Sequence, residues 1–142
     1  MSYSLGYTQA LYLMLYVSDK IQQGMFEFIP TQQISADLNI PPSSAGAILR
    51  KLNRAQLIET REGAAGGVRL ARKPEQITLL DILIAIEQDH PLFQTQFQLA
   101  VSGTKPTQAQ YAIRNLLSGA EQAMKQHLSG VTVKDLIDAI NP

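Results

Sequence analysis

Between Arg50 and Lys73 seven cationic side chains, Arg50, Lys51, Arg54, Arg61, Arg69, Arg72 and Lys73, are opposed only by Glu59 and Glu62, a local net charge of +5. The rest of the chain carries the balancing −5, because 12 Lys and Arg stand against 12 Asp and Glu overall. Cations concentrated in this way suit a polyanion whose phosphates shed counterions on contact. A solvated charged face is the competing account of the same residues. Just upstream, Ser43 and Ser44 bring hydroxyls and helix-start N–H groups that can bind a phosphate or a base edge. Ser43 acting only as a helix cap is the plainer alternative. Gly46, between Ala45 and Ala47, costs a helix about 1 kcal/mol relative to alanine. Close approach of that helix to a duplex would explain it, and so would drift at a tolerant surface position. Arg50, Lys51 and Arg54 lie further along and suit phosphate clamping better than base reading. Arg61 opens a turn, with Arg69 and Arg72 on the returning strand, and a guanidinium there matches a narrow, strongly negative minor groove.

Other chemistries find little footing. With no Cys and two His, the chain lacks the ligands for disulfides, thiolate-held iron–sulfur or zinc sites and cysteine catalysis. Gly63, Gly66 and Gly67 are followed by a strand pattern and no G-K-[ST], which argues against a nucleotide loop. No nucleophile elbow or metal motif is present, so an enzyme is not expected. His90, alone before Pro91, is assigned no role. The apolar runs Leu11–Val17 and Leu79–Ile86 are far shorter than the roughly 20 residues of a membrane span, and no secretory leader opens the chain. A cytoplasmic protein without membrane contact is expected, and 142 residues at 45% hydrophobic and 17% charged describe a folded domain with a real core.

The cations must be held by particular elements. Ser4–Lys20 carries Leu5, Ala10, Leu11, Leu13, Met14, Leu15 and Val17 so densely that it predicts a helix buried on most of its girth. Its Tyr7, Tyr12 and Tyr16 either finish the core or line a cavity. An extended piece, Phe26–Pro30, precedes a short helix capped by Thr31 that ends near Asn39. Ile40-Pro41-Pro42 forces a turn, and Pro42 suits the first position of the next helix, Pro42–Ala55. There Ala45, Ile48, Leu49, Leu52 and Ala55 face inward, while Ser43, Gly46, Ala47, Arg50 and Arg54 fall on another face. Leu57–Arg61 and Val68–Arg72 predict a hairpin around the glycine-rich loop. Two short helices, a tight turn and a hairpin spell a winged helix-turn-helix. Thr78–Asp81 predicts a capping box that starts a helix packed on the first. Asp89–Pro106 is loop-rich yet apolar, with Leu92, Phe93, Phe97, Leu99 and Val101, of which Phe93, Phe97 and Leu99 line either a small-molecule pocket or a subunit contact. Thr107–Ser129, with Ala109, Ile113, Leu116, Leu117, Ala120, Met124 and Leu128, predicts about 34 Å of helix. Gly130 ends it, and Thr132–Asp135 caps a last helix with Val133, Leu136, Ile137 and Ile140.

The opening Pro41-Pro42-Ser43, the run Ile48-Leu49-Arg50-Lys51-Leu52, the wing Arg61–Arg72 with Gly66-Gly67, and Pro74–Asp81 resemble the IscR, NsrR and CymR regulators, the Rrf-two family. The likeness covers about ninety residues, and the tail is similar to the cysteine-poor, YwnA-like members. It implies a homodimeric transcription factor, usually a repressor, whose long helices cross at the subunit contact and whose wing arginine, here Arg61, enters the minor groove. Cluster-binding members hold iron with cysteines in the stretch matching Asp89–Pro106. This chain has none, so a cysteine-held cluster is excluded. Such members often carry an acidic residue where Gly46 stands, which leaves the operator open.

The expected fold is therefore mainly α with a small β-hairpin wing: a winged helix-turn-helix over 1–88, a linker at the former sensor position over 89–106, and a dimerisation helix with a final helix over 107–142. The expected function is a homodimeric regulator of double-stranded DNA, binding a pseudo-palindromic operator without a cofactor and answering to a small molecule or protein. A winged-helix adaptor using the same surface on an acidic protein is the alternative.

Overall fold

A computed structural model describes residues 5–142. The start expected at Ser4 lies outside the described residues. Helix α1 (Leu5–Gln22) is followed by α2 (Thr31–Leu38), α3 (Pro42–Arg54), the antiparallel strands β1 (Ile58–Arg61) and β2 (Gly67–Leu70), a single 3-10 turn at Pro74–Gln76, and then α4 (Leu79–Glu87), α5 (Thr104–Ser129) and α6 (Val133–Ile140). This is the mainly helical winged fold that the sequence predicts.

The core forms around α1, whose Ala10, Leu13, Met14 and Val17 are fully buried. Ile34 of α2, Ile48, Leu49 and Leu52 of α3, Ile82 and Ile86 of α4, and Val133 and Ile137 of α6 join it. Burying such side chains contributes about 1.5–3 kcal/mol each, which explains why a two-stranded sheet can persist here. The hairpin pairs Ile58 with Leu70, Glu59 with Arg69, Thr60 with Val68 and Arg61 with Gly67. Since alternate residues face opposite sides, Ile58 and Val68 enter the core while Glu59, Arg61 and Arg69 share the outer face. The extended piece before α2 adds a third rung. Ile29 and Val68 exchange backbone hydrogen bonds of 2.8 and 2.9 Å.

The cap expected at Thr31 is corrected, and the alternative of a cap at Ser43 falls with it. Pro30 and Pro41, in extended conformation, occupy the N-cap positions of α2 and α3 with no side-chain cap. Thr31 and Ser43 therefore lie inside their helices, because proline at or beside the helix start already fixes the entry dihedral without a hydroxyl. Asn39 ends α2 in the left-handed conformation expected of a helix-terminating Asn. The capping boxes at Thr78–Asp81 and Thr132–Asp135 both form. They sit side by side, since the Leu79 N–H donates to the Val131 carbonyl and the Val133 N–H to the Ile77 carbonyl. This bridge joins the starts of α4 and α6, α6 packs on α1 and on the 3-10 turn, and α4 packs on α1 as expected, with the Tyr7 hydroxyl donating to the Leu79 carbonyl at 2.9 Å.

Helix α5 begins at Thr104, three residues before the predicted start, and not one of its 26 residues is buried. The single apolar stripe read from the sequence divides in two. Leu117, Met124 and Leu128 lie half-buried, while Ala109, Ile113, Leu116 and Ala120 are exposed. Tyr7, Tyr12 and Tyr16 also part company: Tyr7 and Tyr16 are half-buried, but Tyr12 is 62% exposed.

Candidate nucleic-acid interface

The exposed face of α3 presents Ser43, Arg50 and Arg54, with Ser44, Gly46 and Ala47 half-buried beside them. Its opposite face is anchored by Ala45, Ile48, Leu49 and Leu52. That division follows from the 3.6-residue period, and it leaves the first turn of α3 projecting with unpaired N–H groups at its end. A Cβ on Gly46 would meet nothing closer than the Arg50 guanidinium at 3.4 Å. Internal packing therefore does not require glycine there.

The wing holds its cations differently. Arg61 Nη2 donates to the Ala65 carbonyl at 2.8 Å, which closes the loop, and its guanidinium stacks 4.1 Å from the centre of the Phe28 ring. Arg69 stacks on the same ring at 4.5 Å and donates through Nε to Glu59 at 2.8 Å. Glu27 stands between the two guanidiniums, 3.8 Å from Arg61 and 3.6 Å from Arg69. Stacking on a ring and pairing with carboxylates fixes the orientation of both groups, although exposed ion pairs of this kind add little stability. The loop can turn this tightly only with glycine. A Cβ on Gly66 would stand 2.1 Å from the Arg61 carbonyl oxygen, and one on Gly67, at φ +144°, would stand 2.1 Å from the Ile29 carbonyl oxygen. Gly63 also has positive φ, whereas Gly66 is required for close approach and not for its dihedral.

Lys51, Arg54 and Arg72 belong to a third setting. Lys51 Nζ donates to the Ile86 carbonyl at 3.3 Å, where the unpaired carbonyls at the end of α4 attract a cation. Arg72 Nη2 reaches the Ala55 carbonyl at 3.5 Å, beyond α3. Lys51, Arg54 and Arg72 line an open groove of about 560 Å³ whose other walls include Asp81, Ile84 and Asp89. The seven cations thus do not act as one uniform surface. Glu27 is shared between the two wing guanidiniums, and Asp81 and Asp89 line the groove from outside the basic stretch. Glu27 and Phe28 were not found by sequence reasoning. An acid and an aromatic residue in an extended piece carry no distinctive spacing, and only the Ile29–Val68 rung brings them against the wing.

The sequence matches, over residues 3–139, the Rrf2 family, described as iron-dependent transcriptional regulators. The chain belongs to the Rrf2 family. It is a DNA-binding regulator of transcription with a winged helix, in a family that is not one of enzymes. It is 28% identical over 117 residues to the HTH-type transcriptional regulator BadM of Rhodopseudomonas palustris, an alignment spanning 79% of this chain and 71% of that protein. The fold is similar to that of CymR, the global cysteine regulator of B. subtilis, with TM-score 0.70 and 21% identity over 98% of both chains. It is similar also to IscR of T. potens, with TM-score 0.72 and 16% identity over 99% of this chain and 88% of that one.

The iron in the Rrf2 description does not fit these residues. The irregular segment between α4 and α5 offers Asp89 and His90 but no thiolate, and among the described residues no group of three or more His, Cys, Asp or Glu side chains is placed to hold a metal. Among the described residues no helix is long and apolar enough to cross a membrane.

Proposed function

We propose that this Rrf2 protein is a homodimeric repressor that sets the first turn of α3, with Ser43, Ser44 and Gly46, into the major groove of a pseudo-palindromic operator. Arg50 and Arg54 then meet flanking phosphates, and Arg61 on the wing meets the minor groove; Lys51, Arg69 and Arg72 brace these elements and approach the backbone only as secondary contacts. The observation that carries the homodimer is α5, a 26-residue helix with no buried position. Its exposed Ala109, Ala112, Ile113, Leu116, Ala120 and Ala123 recur every three or four residues, a stripe of mostly small side chains that lets a second helix approach closely. Phe97 and Val101, 72% and 65% exposed in the preceding loop, extend the apolar surface. Patches of this kind mark protein contacts, and a two-fold pairing gives each protomer the same patch. A dimer spanning two half-sites would occlude a promoter, and an effector altering the angle between its reading heads would release it.

Selection of bound fragments from the source genome, followed by anisotropy titration and in vitro transcription, tests this reading. One sequence should bind at least a thousandfold more tightly than scrambled duplex and its transcription should fall. Arg61→Ala should weaken that binding by about 1–2 kcal/mol without changing the dimer mass. Equal affinity for all duplexes would overturn the reading, and unchanged affinity in Arg61→Ala would remove that residue from the interface.

A further inference from the structure

The segment that follows α4 lies along α5 and forms with it a small open cleft of about 170 Å³. Phe97, Leu99, Ala109, Ile113 and Leu117 supply an apolar lining, and Arg114 supplies the cation. A second cavity of about 170 Å³ shares Thr95, Arg114 and Leu117 with the first. Arg114 therefore borders both hollows. Among the described residues it forms no ion pair and no hydrogen bond. The nearest carboxylate on its own helix face, Glu121, is already engaged, accepting from the Leu92 N–H and pairing with Lys125 at 3.6 Å. That engagement pins the segment to α5 and leaves the guanidinium available.

We propose that this cleft binds a small apolar monocarboxylate, its carboxylate held by Arg114 and its hydrocarbon part by Phe97, Leu99, Ile113 and Leu117. A planar guanidinium recognises a carboxylate through two parallel hydrogen bonds, and an apolar surround strengthens that bond by excluding water. The volume is about half that of the smallest drug-sized pockets, which sets the size at a short alkyl chain or a single ring. Ala109 and Ile113 belong both to this lining and to the exposed stripe of α5, so a second protomer seated on the stripe would close the mouth of the cleft. Occupancy then couples to the subunit contact. The proposal rests on the effector-responsive dimer inferred above and names the class of effector.

Calorimetric titration of the full chain with butyrate, hexanoate and phenylacetate, each beside its uncharged amide, tests it. At least one acid should bind, its amide at least tenfold more weakly. Arg114→Gln should lose at least tenfold in affinity for the acid, while Arg114→Lys should keep the preference for acid over amide. Circular dichroism establishes that each variant is folded. Equal binding of acid and amide, an unaffected Arg114→Gln, or no binding of any of the acids would overturn the proposal. Operator binding and dimer mass are measured separately on the unsubstituted chain. If both persist while no acid binds, the ligand assignment alone falls; if operator binding is absent, the regulator reading falls, whatever the acids do.

Discussion

Gly46 is the residue at which stability and DNA contact are expected to oppose each other. Nothing inside the chain fills the space that its missing Cβ leaves, so Gly46→Ala should raise stability by about 1 kcal/mol through helix propensity. The same methyl group points from the exposed half of α3, and operator affinity should fall. Denaturant midpoint and anisotropy measured on the same sample read the two effects, and a stabilised variant with full affinity would show the glycine to be incidental. Tyr16 makes a different kind of prediction. Its hydroxyl donates to Asp37 and accepts from Gln33, tying α1 to α2. Burial, reinforced by the Asp37 carboxylate, raises its pKa above the ordinary 10.0. A phenol whose folded pKa is raised contributes fully below the unfolded value and loses that contribution as pH climbs through the folded one. Tyr16→Phe should cost about 1 kcal/mol near neutrality and flatten the loss of stability above pH 10, as thermal melts across that range would show.

At the level of elements, the proposed dimer rests on α5. Leu116 is 74% exposed and stands at the centre of the unpartnered stripe. In a two-fold dimer each change counts twice, so Leu116→Lys should cost about 3 kcal/mol of association or more, roughly a hundredfold in the dimer dissociation constant. Light scattering at micromolar concentration should then find a monomer with unchanged helix content. A dimer that survives would place the subunit contact elsewhere. The wing poses the converse case, because its parts are already fixed within one chain. Phe28, Glu27, Glu59 and the Ala65 carbonyl hold Arg61 and Arg69 before any partner arrives, which reduces the entropy lost when a guanidinium enters a groove.

Over the whole molecule, salt dependence reports how many cations displace counterions, and the proposed reading has three direct contacts per protomer, Arg50, Arg54 and Arg61. Arg50 and Arg54 have no ion pair among the described residues, and Arg61 keeps 44% of its side chain exposed beside Glu27. Three such groups per protomer, six per dimer, give a slope of roughly −5 in log affinity against log salt. A slope near −12 would mean that all seven cations reach phosphate, as the bare sequence count suggests. The hairpin, the proline-started α3, both capping boxes and the core stripe of α1 were legible from the sequence, because backbone propensity, capping and hydrophobic period act within a few neighbouring residues. The cap assigned to Thr31 was misread, since a preceding proline performs the same task. Which carboxylates share the surface with the cations was not legible, because Glu27 meets the wing, and Asp81 and Asp89 line the groove, only through the packing of distant segments. The sequence by itself determined the winged helix and the absence of thiolate ligands. Tertiary structure alone decided that α5 divides its apolar residues between its own chain and solvent and that Arg114, without an ion pair among the described residues, borders two cavities, because facing depends on how whole elements pack and local spacing does not encode it.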